Sequence, residues 1–503
     1  YTDNSSGTKS GSFNFGQRTF TYTPPTGFKA LNSANLPDPT IKLPNKHFDT
    51  LLWSGNSSTQ AITGLNFSPD WVWSKRRSAS SSHYLSDTIR GVHKILFSEL
   101  TGAEYDGTSN NDGVDSFDSN GFTFNNGTYV ADYNASGSTY VGWNWNAGDT
   151  DGKTYTVKVV SDGGNKYRFD DFGTSAVTLD LAEGGTYIFN MDDSSNASHP
   201  FMIGTTANDN TTAFGSGIVY KLDGVVKTFA QYHAGFAAAT TRRLEFTIPA
   251  STNNLFYFCY FHSGMGGQVN TNSTLGSSNF DGTLQSIVKA NTTAGFSIVT
   301  YTGNGSSGST IGHGLGVTPN FCFMKRRDST QNWLAATFDL QTARELNTSN
   351  PFLEGDYDAF FTSQPTSTTI TMGNDDVNNK NGSTYVGYIF SEVAGYSKFG
   401  KYTGNGSSDG TFVFTGFRPA LVILKSISNS ESWQIKDNKR VGFNDQNHTL
   451  FANNSNTEYT TAQMDLLSNG FKLRNSGGGS NGSGENLIYL AFAESPFKNA
   501  RAR

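Results

Sequence analysis

Tyr301–Arg327 reads YTGNGSSGSTIGHGLGVTPNFCFMKRR, and the chain says it three times. Trp53–Arg77 is WSGNSSTQAITGLNFSPDWVWSKRR, and Tyr402–Ser426 is YTGNGSSDGTFVFTGFRPALVILKS. Each version runs from an aromatic through a Gly-Asn turn and a short strand to a proline and an apolar run. Lys75, Lys325 and Lys425 each follow their proline, Pro69, Pro319 and Pro419, by six residues. An aromatic comes next, assigned to Tyr84, Trp333 and Trp433. The ends match too: GSTYVGWNW from Gly137, GSTYVGYIF from Gly382 and, more diverged, NLIYLAFAESPF from Asn486. Self-similarity at a period of roughly a hundred residues means tandem units. They are placed at 50–149, 296–396 and 397–498, the last with a tail to 503.

Each unit reads as all-β. PDWVWSKR, PNFCFMKR and PALVILKS are strands that a proline can open, where its missing N–H costs least. GNGSS reads as hairpin-turn chemistry. DTIRGVHKILFSEL from Asp87 reads as one short helix. The repeated lysine reads first as a solvated strand-end residue and second as a ligand contact. Trp143, Trp145 and Tyr388 read as core before sugar platforms. The fold class is therefore all-β, a set of tandem β-sandwiches.

Composition agrees. Of 503 residues 14% are aromatic and only 16% charged, and Gly, Asn, Ser and Thr abound, which disfavours helices and favours short strands and tight turns. The net charge of −6 and the lack of a basic run argue against nucleic-acid binding. No run of about 18 apolar residues exists to span a membrane as a helix. Cys259 and Cys322 are too few for a disulfide framework.

The quoted repeats, with GSTYVG and the terminal AFAESPFK, resemble a module of structural proteins of marine tailed phages, often tail or fibre proteins. The N-terminal FNFGQRTFTYTPPTGFKALNSANLPDPTI is similar to the exit from a SPRY-like sandwich, so 1–49 is expected to be a remnant of such a domain and a linker. The resemblance implies a virion or extracellular surface location. It also implies sister subunits in a homo-oligomer, with a trimer as the common fibre solution, other virion proteins as partners, and host surface polysaccharide as a receptor.

Residues 150–272 break the repeat, and 273–295 link back to it. TYTVKVV, KYRF, AVTLDLAEGGTYIFNM, RRLEFTIPAS and NLFYFCYFH are strands, the third read as a hairpin about Gly184–Gly185. In NLFYFCYFHSGMGG, Cys259, His262 and Met265 stand three residues apart, and Gly264, Gly266 and Gly267 free the turn between them. A thiolate, an imidazole and a thioether so spaced suit a soft metal ion, although a lone cysteine is also a common buried apolar residue. The segment resembles a cupredoxin, the blue-copper Greek-key sandwich. That resemblance implies His199 as a ligand from a loop midway, with Cys259, His262 and Met265 completing the set. Copper is the implied ion and zinc the weaker candidate. His233 lies outside the spacing and reads as a loop residue.

No nucleophile elbow, HExxH helix or phosphate loop appears, so no catalytic residue is assigned and a non-enzyme is expected. The pairs Asp170–Asp171, Asp192–Asp193 and Asp375–Asp376 read as turn caps. A tailed-phage adhesion or tail-fibre protein is the expectation. A capsid-surface fibre or decoration protein and a secreted copper electron-transfer protein are the alternatives.

Overall fold

The repeated words become the same strands three times. In the computed structural model, which describes residues 38–148, 152–271, 275–351, 353–354, 357–461 and 463–499 with a few isolated positions before 38, the chain is all-β and built of sandwiches. Most of the proposed SPRY-like segment, 1–49, lies outside the described residues. The first repeat has a four-stranded sheet in the order Phe48–Ser54, Thr139–Trp145, Trp71–Arg76, His83–Asp87, and a smaller sheet of Gln60–Thr63, Gly121–Phe124 and Val114–Asp118. The second repeats the first three of these places with Phe296–Thr302, Thr384–Phe390 and Phe321–Arg326, then Trp333–Thr337. The third does so with Ser397–Thr403, Asn486–Pro496, Phe417–Ser426 and Gln434–Asp437. Register confirms the equivalence: Trp71 pairs with Trp145, Phe321 with Phe390, and Leu421 with Phe492. Ser277–Asn279 and Ser286–Asn291 extend the second repeat's large sheet at its edge.

The Gly-Asn word is a corner between sheets. It leads from the large sheet of each repeat into the small one and does not close a hairpin. A buried asparagine holds it: the backbone N–H groups of Asn56, Asn304 and Asn405 donate to the side chains of Asn134, Asn379 and Asn481 at 3.2, 3.0 and 3.1 Å. The amide nitrogens of those asparagines donate in turn to Ser58, Ser306 and Ser407 carbonyls. The glycine lets the two backbones touch, since a Cβ on Gly55, Gly303 or Gly404 would lie 2.2, 2.6 or 2.3 Å from a carbonyl oxygen. The expected helix from Asp87 is absent. The Asp87 carboxylate accepts the Arg90 N–H at 2.8 Å, and Gly91 at φ +90° breaks any helical run.

The first and second repeats each keep a core of their own between their two sheets, and a further core joins all three repeats. The large sheets turn their outer faces toward one another, and the three repeats share one aromatic centre. Trp71 stacks on Tyr388 at 4.1 Å, Phe48 meets Phe492 at 5.5 Å, and Phe390 meets Phe492 at 5.7 Å. All seven tryptophans are buried, and Trp143, Trp145 and Tyr388 are core residues rather than exposed platforms. Strands such as Trp71–Arg76 are thus buried on both faces, which explains their near-continuous apolar runs. Truncating one of these central aromatics would cost about 3–5 kcal/mol.

The repeated lysines are buried, not solvated. Lys75 Nζ donates to Ser455 O of the third repeat, Lys325 Nζ to Thr101 O of the first, and Lys425 Nζ to Ser349 O of the second. Each also bonds a carbonyl of its own repeat. Three contacts of the same kind, each to the next neighbour, close a ring with pseudo-threefold symmetry. Burial drives all three ammonium pKa values down to about 8, which leaves them mostly charged at neutral pH. The aromatic following the lysine is also reassigned: the register opposite Lys75 holds His83, not Tyr84, whereas Trp333 stands opposite Lys325, and Trp433 directly precedes Gln434, the partner of Leu424. His83 accepts Trp73 Nε1–H on Nδ1 at 2.9 Å and therefore points its Nε2–H at Phe451 O, 3.0 Å away. Trp333 Nε1 donates likewise to Phe97 O at 2.8 Å.

Between the first and second repeats stands a separate sandwich with its own core. One sheet has the order Asn165–Phe169, Thr154–Ser161, Thr186–Asn190, Arg242–Thr247, Ile218–Leu222, Val225–Lys227. The other runs Leu179–Asp180, Gly267–Asn270, Leu255–Cys259, Phe201–Gly204. The expected hairpin about Gly184–Gly185 is not one. Leu179–Asp180 and Thr186–Asn190 lie in opposite sheets, because Leu181 and Ala182 turn into the core between them and carry the chain across.

Candidate metal centre

The strand Leu255–Cys259 pairs with Phe201–Gly204, and Phe201 lies opposite Cys259. That register sets His199, two residues before the strand, beside the loop that follows Cys259. The loop turns back at once into Gly267–Asn270. Two glycines permit it: Gly264 has φ +76°, and a Cβ on Gly266 would sit 1.7 Å from Tyr257 O.

Three donor atoms converge. His199 Nδ1 and His262 Nδ1 are 3.1 Å apart, Cys259 Sγ is 3.5 Å from His262 Nδ1, and it is 3.8 Å from His199 Nδ1. A point equidistant from all three lies about 2.0 Å from each, the length of a metal–imidazole bond and slightly short of a metal–thiolate bond. The cluster can hold a metal ion. Met265 is buried in the same core as Cys259, and its carbonyl accepts the Tyr167 N–H at 2.9 Å. The structure thus brings His199, Cys259 and His262 together, with Met265 packed into the adjoining core.

The surroundings tune the donors. Burial pushes the Cys259 thiol up, while the N–H groups of Phe261 and His262 and the Tyr167 hydroxyl pull it back by stabilising the thiolate. Burial, then the neighbouring His262, holds His199 below the ordinary histidine range, so its imidazole is neutral and its lone pair free for a metal. Tyr167 O–H bonds the His199 carbonyl at 2.9 Å, and the Asn165 amide lies 3.4 Å from His199 Nε2. Such second contacts orient a ligand ring. Cys259 and His199 are buried and His262 is exposed, so the centre opens to solvent on one side, beside the exposed ring of Phe261.

Residues 43–164 and 269–496 match a domain of unknown function, DUF7483. The chain belongs to this family. No curated protein matches the sequence. The DUF7483 segments take in strands of all three repeats, and they stop short of every donor of the metal cluster.

Other sequence candidates fall elsewhere. His233 lies on the helix Phe229–Gly235 rather than in a loop, its ring stacked on Tyr260 at 3.9 Å. Cys322 is buried in the second repeat. Two of the aspartate pairs cap turns, Asp193 accepting Ser195 N–H and Asp375 accepting Val377 N–H, whereas Asp170 accepts Thr156 N–H across strands and Asp171 pairs with Lys158. Tyr167 and Asn165 were not singled out from sequence, because nothing in KYRF marks a contact made across the sandwich.

Proposed function

We propose that this DUF7483 protein is a non-catalytic structural and adhesion component of a tailed-phage surface appendage, in which the inserted sandwich binds one copper ion as a fold-stabilising centre. The observation that carries the metal reading is the convergence of His199 Nδ1, Cys259 Sγ and His262 Nδ1 within bonding reach of a single point. Thiolate and two imidazoles suit copper better than hard cations, and the buried thioether of Met265 favours copper over zinc. Bound there, the ion would tie two loops of one sandwich in a chain whose two cysteines are both free. Structural metal sites contribute roughly 10 kcal/mol in small domains, so a few kcal/mol here would be ample. The repeat motifs support the appendage reading, and the closed ring with its buried tryptophans supports a rigid scaffold over a site of turnover.

Titrating the metal-free protein with copper tests the centre. One equivalent should bind, give an intense thiolate band near roughly 600 nm, and raise the thermal midpoint, with Cys259→Ser losing both. Binding that survives Cys259→Ser would overturn it, and facile redox cycling would favour electron transfer instead. Purified particles test the location: a density map should show the ring on a tail appendage, and absence from the particle defeats that part.

A further inference from the structure

The first repeat carries a pocket walled by aromatic rings. Tyr84, Phe97, Tyr105 and Tyr129 wall a cavity of about 230 Å³, with Asp112 and Asp132 on its lining. Its rings stand as two perpendicular pairs: Tyr84 meets Phe97 at 5.2 Å and 79°, and Tyr105 meets Tyr129 at 5.8 Å and 76°. No lysine, arginine or histidine lines the cavity.

Most donors of the polar lining are already used, the Tyr129 hydroxyl excepted. Tyr105 O–H donates to Asp112 at 2.8 Å while accepting from Asn110, and Tyr84 O–H donates to Asp132 at 3.3 Å. The Ser82 hydroxyl is engaged by Glu99. A phenol that donates to a carboxylate has a more electron-rich ring, which strengthens its attraction for a cation. Lys75, behind the pocket, feels both Glu99 and Asp132 and offsets one of the nearby negative charges; Asp112 has no cationic partner among its described hydrogen bonds. The field agrees, since burial first and then Asp132 and Asp112 hold the Tyr84 phenol far above its ordinary range. A sugar would need several donors as well as acceptors, whereas an alkylammonium ion needs only aromatic faces and negative charge. The volume suits a group of trimethylammonium size.

We propose that the Tyr84–Phe97–Tyr105–Tyr129 box of the first repeat binds a small alkylammonium group, with Asp112 and Asp132 supplying the compensating charge. This site is independent of the metal centre and goes beyond the appendage reading by giving the protein a specific ligand chemistry. The group could arrive free or at the tip of a choline headgroup.

Calorimetric titration with choline, on protein with and without the Cys259→Ser change, tests it. Choline should bind in both, and its uncharged isostere 3,3-dimethylbutan-1-ol about 10-fold or more weakly. Tyr129→Ala, at a half-exposed ring whose loss should leave the thermal midpoint nearly unchanged, should weaken choline binding about 3- to 30-fold. Asp132→Asn should do so in the same range. Binding to phosphatidylcholine vesicles as well would identify a headgroup source, and binding of free choline alone a soluble one; both uphold the pocket. Equal affinity for the neutral isostere, no choline binding, preference for a neutral monosaccharide, or full binding by Tyr129→Ala would overturn it.

Discussion

Lys325→Met keeps most of the side-chain volume and removes the ammonium. Thr101 O and Gln331 O, which accept at 3.0 and 2.8 Å, would then lose a shared donor inside the junction between two repeats. Thr101 O keeps the Gln331 N–H at 2.8 Å, so the change strands only the Gln331 carbonyl, and leaving a buried carbonyl without a partner costs about 1–3 kcal/mol. Urea unfolding should show a loss of about 1–3 kcal/mol; a variant as stable as the parent would mean that water reaches the Gln331 carbonyl. A lysine at a strand end reads from sequence as solvated because nothing nearby tells it apart from one that is. Its neighbour belongs to another repeat, hundreds of residues away. His199 was legible only through a resemblance, while Cys259, His262 and Met265 announced themselves by spacing within one loop.

At the scale of elements, the Gly-Asn corners are the device most often repeated. Gly404→Ala would drive a Cβ to 2.3 Å from Gly482 O, so the corner or its facing loop must move. A loss of about 1–3 kcal/mol is expected, measured as a shift in denaturation midpoint. Gly102→Ala, with open space around the new methyl, is the control and should stay within about 0.5 kcal/mol. The strands themselves were readable from sequence, because apolar runs, prolines and turn residues are local signals. The sheets they join were not. GNGSS and EGG look like hairpin turns, and both carry the chain from one sheet to the other because a buried partner waits there: Asn134, Asn379 or Asn481 in the repeats, the sandwich core at Leu181–Ala182 in the insert. The short helix expected at Asp87 failed for a like reason, since the Asp87 carboxylate turns the chain to hold Arg90 and does not start a helical run.

For the whole molecule, the three junctions of the ring are unequal. Asp87 joins Arg90 and the Tyr388 hydroxyl of the second repeat; Asp437 joins Arg440 and the Trp143 indole of the first. At the third junction the corresponding places hold Thr337 and Leu490, so the buried carboxylate and its donor have gone together. Glu104 pairs with Arg90 and Arg327, and Glu458 with Arg440 and Arg77, across the first two junctions. Burial alone would raise both glutamates, but the paired guanidiniums outweigh it and hold them below the ordinary range. Folded values lower than unfolded ones mean that their stabilisation is complete above about pH 4.5 and disappears as pH falls through the folded values. Melting between pH 6 and 3 should therefore show a fall in stability as the pH drops. The Glu104→Gln, Glu458→Gln double variant should flatten it below pH 4.5, and an unchanged slope would place the acid sensitivity elsewhere.

The amino-acid sequence by itself determined the all-β class, the threefold repetition and the Cys259–His262 pair of one loop, since each is written in neighbouring residues. Only the tertiary structure decided that the repeats close into a ring, that their outward faces are a common core, and that four aromatic rings of one repeat stand open as a box. A strand apolar on both faces is the same string of letters whatever covers it. What covers it here comes from a distant part of the chain, and that partnership exists only once the chain is folded.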